Sequence, residues 1–94
     1  MANQTVTIIN KRGLHARAAA KFASTAAAFN ARVQVRIFCE AGEGHWTDGK
    51  SVMSLMLLAA SQGTSIELLI EGDDELLAME TLCGLIANRF EEDE

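Results

Sequence analysis

Two cysteines are all the thiol chemistry in this 94-residue chain. Cys39 and Cys83 lie far apart with no CxxC spacing. That excludes a disulfide-stapled miniprotein and a dithiol redox motif, and fits buried or idle thiols in a reducing compartment. Together with His15 and His45 they lack the ligand spacing of a zinc site, so no metal and no cofactor are expected. Long apolar runs are missing too. The longest, Leu55 to Ala60, is far too short to span a bilayer. Met1 leads into polar residues rather than a charged n-region and an apolar core, so no signal peptide is read. The expectation is a cytoplasmic protein without a membrane partner. Basic charge is scarce: 8 Lys and Arg against 13 Asp and Glu give a formal charge of −5. A nucleic-acid binder would carry the opposite balance. Repeats, linkers and low-complexity stretches are absent, as is any lined pocket suggestive of a metabolite sensor. The length suits one domain over 1–94, and a 49% hydrophobic content supports a small core of ordinary marginal stability.

What is present is a regular alternation of element types. Thr5 to Ile9 is β-branched throughout and reads as a strand. Ala16 to Phe29 reads as a helix, with Ala19, Phe22, Ala26 and Phe29 on one face and Asn30 as a stop. Arg32 to Phe38 alternates Val33, Val35 and Ile37 against Arg32, Gln34 and Arg36, which describes a strand with one wet face. Ala41 to Gly49 is glycine-rich, with a short strand around His45 to Thr47. Ser51 sits as N-cap before a short apolar helix, Val52 to Leu58. Ser61-Gln62-Gly63 turns the chain into a strand, Thr64 to Ile70. The acidic Gly72-Asp73-Asp74-Glu75 opens a last helix, whose buried stripe is Met79, Leu82, Cys83, Ile86 and Phe90. Glu91 to Glu94 reads as a solvated acidic tail. The order β-α-β-β-α-β-α predicts an α+β fold: a mostly antiparallel sheet with helices on one face, its other face left to solvent.

The chemistry concentrates at Gly13-Leu14-His15-Ala16-Arg17. His15 stands where a strand gives way to a helix, and a helix start offers unpaired N–H groups and a partial positive charge to an anion. A helix N-terminus disfavours the protonated ring and so helps keep a nucleophilic imidazole neutral. Phosphoryl transfer needs donors waiting for the charge spread over the phosphoryl oxygens. The backbone N–H groups of Ala16 and Arg17 suit that purpose, and the Arg17 guanidinium can pair with the same oxygens. Gly13 permits the sharp turn, Leu14 anchors it, and Ala16, Ala18 and Ala20 leave room for a partner. Lys11, Arg12 and Lys21 add local positive charge. On spacing alone, a histidine at a helix start is more often a cap or a solvated residue than a nucleophile.

Two motifs carry a resemblance. Gly13-Leu14-His15-Ala16-Arg17-Ala18-Ala19-Ala20-Lys21-Phe22 resembles the active-site signature of HPr, the histidine phosphocarrier family of the bacterial phosphotransferase system. Lys50-Ser51-Val52-Met53-Ser54-Leu55-Met56-Leu57-Leu58-Ala59 resembles the family's second signature, and the element order matches over nearly the whole chain. The resemblance implies an open-faced β-sandwich, with a four-stranded antiparallel sheet and three helices on one face. It implies that His15 takes a phosphoryl group on Nδ1 from enzyme I, charged by phosphoenolpyruvate, and passes it to a histidine of an enzyme IIA domain. Arg17 would stabilise the phosphohistidine. The protein would then be a carrier in a relay and not a turnover enzyme. Many sugar-transport members have proline after the active-site arginine, where this proline-free chain has Ala18. Alanine there is frequent in the nitrogen-regulatory paralogue, so sugar transport and nitrogen regulation both stay open. The Glu40 to Gly49 stretch with Trp46 is longer than the family pattern.

In the family, the serine matching Ser51 can be phosphorylated for regulation by a dedicated kinase, with a phosphatase to reverse it. The plain alternative is an N-cap serine. Ala20, Lys21, Met53, Met56 and Leu57 form the expected docking set, since methionine adapts to several partner shapes and the cations match acidic surfaces. Val52 and Leu55 are expected inside, with the two methionines partly out. Trp46 is either a partner contact or packing at the sheet edge, and His45 is expected in solvent. The protein is expected to be a monomer. A second reading is a regulatory module of the same fold that acts mainly by docking to enzymes or transcription factors.

Overall fold

A computed structural model describes every residue except Glu43. Its elements are β1 (Ala2–Thr7), α1 (Ala16–Ala27), β2 (Arg32–Ile37), β3 (Thr47–Asp48), α2 (Val52–Leu57), β4 (Ser65–Glu71) and α3 (Glu75–Ala87), followed by a 3-10 turn at Arg89–Glu91. The strands form one antiparallel sheet in the order β1-β4-β2-β3, and three helices cover one face. This is the expected fold, with strand edges displaced by a few residues. β1 begins earlier than its β-branched run, because Ala2 to Gln4 pair with Leu68 to Ile70. β3 is Thr47–Asp48, opposite Val35 and Gln34. Glu43, in the Glu40 to Gly49 stretch, lies outside the described residues.

Register explains the core. Val33, Val35 and Ile37 stand opposite Ile70, Leu68 and Ile66, and period-2 geometry sends all six to one face. Five of them are buried and Ile37 is half-buried. Onto that face pack Ala19, Phe22, Ala23 and Ala26 of α1, Leu55 of α2, and Ala78, Met79, Leu82 and Ile86 of α3. Each large apolar side chain sealed there contributes roughly 1.5–3 kcal/mol relative to exposure. Cys83 is half-buried beside Met79, and burial pushes its thiol up.

The opposite face carries polar pairing. Glu67 accepts from Asn3 at 2.7 Å and from Arg36 Nε at 2.8 Å, so one carboxylate on β4 links β1 to β2. The Arg36 guanidinium lies 4.2 Å from the Trp46 ring centre, a cation–π contact. Trp46 therefore packs on the sheet, and His45 beside it is exposed.

The acidic opening of α3 works differently from its sequence reading. Asp74 makes no side-chain cap on its own helix. Its carboxylate instead accepts from the N–H groups of Asn30 and Ala31, each at 2.8 Å, and so closes the turn between α1 and β2.

Candidate functional site

The approach to His15 is fixed by backbone. After β1, Ile8 donates to Thr64 O and accepts from Gly63 N, both at 2.8 Å. Residues 10–13 turn, with Gly13 N donating to Asn10 O at 3.2 Å. Gly13 has φ +67°, and a Cβ there would stand 2.6 Å from Ala60 O. Glycine is therefore required twice over, by conformation and by space. Leu14 donates to Ala60 O at 2.8 Å and buries its side chain. His15 follows in extended conformation as the N-cap of α1, its Nδ1 accepting from Arg17 N–H at 3.3 Å. The imidazole is thus turned back over the start of its own helix, with Nδ1 at the end where the N–H groups point.

Arg17 is exposed beside it. Arg12, Arg17 and Lys21 line a shallow depression whose remaining wall is Glu91, Glu92, Asp93 and Glu94. Glu91, Asp93 and Glu94 are exposed, as expected of a solvated acidic tail, but Glu92 is turned inward. Arg89, Phe90 and Glu91 take φ values of 55°, 53° and 66°. That left-handed run costs about 1–2 kcal/mol per residue and reverses the chain. Phe90 is completely buried, and Lys21 Nζ donates to Phe90 O at 3.0 Å. Past this anchor the tail crosses the His15 loop, where Glu94 pairs with Lys11 at 3.4 Å. Glu92 contacts His15 Nε2 through Oε2 and accepts from Asn10 Nδ2 through Oε1 at 2.9 Å. Opposite charge explains the return: an acidic segment anchored by one aromatic lies down on the cations of residues 11–21. Burial pushes the Glu92 carboxyl up. Hydrogen bonds from Asn10 and His15 and the charge of Arg12 outweigh it and hold the group below the usual carboxylate range.

Asn10 and Glu92 are the site residues that sequence reasoning missed. Asn10 is a fully buried polar side chain in the short turn between β1 and Gly13. The one available signal was the excess of positive charge around His15 facing an acidic chain end.

Ser51 caps α2, its Oγ accepting from Ser54 N–H at 3.2 Å. Along α2, Leu55 is buried, while Met53 is 71%, Met56 44% and Leu57 78% exposed. Val52, expected inside, is also exposed, because the first turn of so short a helix turns only one residue, Leu55, onto the core. Ala16 and Ala20 are exposed, whereas Ala18 is fully buried and offers no surface to a partner. Lys21 is half-buried and engaged by the tail. Among the described residues no cluster of three or more His, Cys, Asp or Glu could hold a metal ion, and no helix is long and apolar enough to cross a membrane.

A family model described as the PTS HPr component phosphorylation site matches residues 2–88. The chain belongs to the HPr family. It is 48% identical over 89 residues to the phosphocarrier protein HPr of Pseudomonas aeruginosa, covering 95% of this chain and 94% of that one. A crystal structure of HPr-C-His from Thermoanaerobacter tengcongensis superimposes with a TM-score of 0.89 at 39% identity, covering all of both chains. A crystal structure of an HPr dimer from the same organism gives a TM-score of 0.73 at 40% identity, over 98% of this chain and 100% of that one. HPr proteins are phosphocarriers of the phosphotransferase system, and the four-stranded sheet with its three helices is the family's fold.

Proposed function

We propose that His15 accepts a phosphoryl group on Nδ1 from enzyme I and passes it to a histidine of an enzyme IIA domain. The observation that carries this reading is the placement of Nδ1 against the Arg17 amide at the start of α1. A phosphoryl group added there meets the N–H groups of Ala16 and Arg17 and the positive end of the helix. The exposed Arg17 guanidinium supplies a further charged donor to its oxygens. The protein acts as a carrier in the cytoplasm, as a monomer, without nucleic acid, and performs no turnover chemistry on a small molecule.

Met53, Met56 and Leu57, with Ala20 and Lys21, form the surface on which the unlike partners seat. Exposure of those three apolar side chains on one short helix supports this assignment. Ser51 is a candidate for regulatory phosphorylation by a serine kinase and reversal by a phosphatase. A phosphate at the start of α2 is tolerated electrostatically and would repel an acidic partner surface.

Incubation with enzyme I and labelled phosphoenolpyruvate tests the carrier reading. The expected product is an acid-labile label that disappears in His15→Ala. Absence of label with every enzyme I paralogue tried, or its survival in His15→Ala, overturns the reading and leaves a regulatory docking module.

A further inference from the structure

The His15 ring is held at both nitrogens. Nδ1 accepts from Arg17 N–H at 3.3 Å, and Nε2 meets Glu92 Oε2. A neutral imidazole carries one N–H and one lone pair. A carboxylate accepts and a backbone N–H donates, so the proton belongs on Nε2 and the lone pair on Nδ1. Glu92 is itself fixed from behind. Asn10 Nδ2 donates to Glu92 Oε1 at 2.9 Å and to Gly13 O at 2.8 Å. Both neighbours of that amide are acceptors, which settles which end of it faces them. The side chains of His15 and Glu92 are only 18% and 13% exposed, so water competes weakly for the contact.

We propose that Glu92, held by Asn10, is a positioning residue for phosphoryl transfer at His15: it fixes the Nε2–H form of the ring, leaving Nδ1 as the nucleophile, and stabilises the positive charge that the ring acquires. The proposal rests on His15 being the phosphorylated residue.

The step balances as follows. The Nδ1 lone pair forms the bond to phosphorus. The donor's bond to phosphorus breaks, and its electron pair stays on the donor. The ring keeps its Nε2 proton and becomes cationic, with that edge against the Glu92 carboxylate. In onward transfer the Nδ1–phosphorus pair returns to Nδ1 and the charge is lost. Glu92 stands at the edge of the ring opposite the incoming group, so it can stabilise the cation without crowding the phosphoryl oxygens. The logic is that of the carboxylate that orients the histidine of a Ser-His-Asp triad. The carboxyl is held below its usual range by its hydrogen bonds despite burial, which keeps it ionised for this task at neutral pH.

Three readouts test the idea in the full chain. In the unphosphorylated protein, proton and nitrogen-15 NMR should show a hydrogen-bonded Nε2–H signal that Glu92→Ala abolishes. Glu92→Gln should retain that signal through its amide oxygen. In the phosphorylated protein, the ring should titrate at lower pH in both variants than in the parent. Transfer from the donor should slow about tenfold to a hundredfold in Glu92→Ala, the scale of one hydrogen bond to a charged group. An unaltered phosphohistidine titration together with the parent rate overturns the proposal. A faster rate in Glu92→Ala also overturns it, making the tail a cover over the site. The NMR signal needs no phosphoryl donor. Failure of the parent to take up label would therefore refute the role of His15 separately from the contact made by Glu92.

Discussion

Arg17 brings two groups to the neighbourhood of His15, a backbone N–H on Nδ1 and an exposed guanidinium. Arg17→Ala keeps the first and removes the second. Transfer should fall about a hundredfold, the usual consequence of deleting one donor to developing negative charge. The urea midpoint should stay at the parent value, since the side chain is exposed and surface substitutions of this kind are near neutral. A parent rate of transfer in the variant would remove the guanidinium from the mechanism. At this scale the sequence was readable where function is local. Gly13, Leu14, His15 and Arg17 lie within five residues, and turn, anchor, cap and charge each have a local signature. Asn10 and Glu92 were hidden because their contact spans 82 positions. Nothing local marks a lone asparagine after a strand, and a glutamate in an acidic end reads as solvated, until the fold joins them.

Elements differ in how completely their sequence describes them. The α2 helix is the shortest, six residues, and its hydroxyl cap was evident from Ser51 ahead of an apolar run. Ser51→Ala should destabilise the protein by about 1 kcal/mol, visible as a lower thermal midpoint. Transfer to His15 should persist in that variant, which separates the cap from any regulatory role of the same hydroxyl. Which apolar residues of α2 face inward was less readable. Six residues hold too few turns for a periodic pattern to show phase, so nothing local marks Val52 as facing outward. The turn at Arg89–Glu91 had no readable signal, since three consecutive left-handed residues without glycine go against local preference. Burial of Phe90 and the grip of Lys21 on its carbonyl offset that preference.

For the molecule as a whole, the order of elements followed from local patterning and the wet sheet face from the alternation in β2, whereas the strand order β1-β4-β2-β3 has no local signature. The ties across the sheet have none either. Glu67 is held below its ordinary value of 4.5 by hydrogen bonds from Asn3 and Arg36, and Asp74 below 3.8 by the Asn30 and Ala31 amides. A carboxyl lowered in the folded state contributes stability above its unfolded value and loses it as pH falls through the folded one. Thermal midpoints measured at falling pH should therefore hold steady down to the ordinary carboxylate range and drop below it. Glu67→Gln should start lower at neutral pH and fall less on acidification. An equal acid slope in parent and variant would remove Glu67 from the balance.

The lock between Gly13 and Ala60 has a kinetic meaning. Leu14 N–H donates to the carbonyl of Ala60, three residues past α2, and a Cβ on Gly13 would collide with the same carbonyl. The loop that carries His15 is thus tied to the chain just past α2, the helix proposed above as the docking surface. On the proposed reading, a protein that seats on α2 would meet the imidazole at a set distance. Transfer would then proceed as if within one molecule, at the high effective concentration such placement gives. The pace of the relay would be set by how quickly one partner leaves and the next arrives.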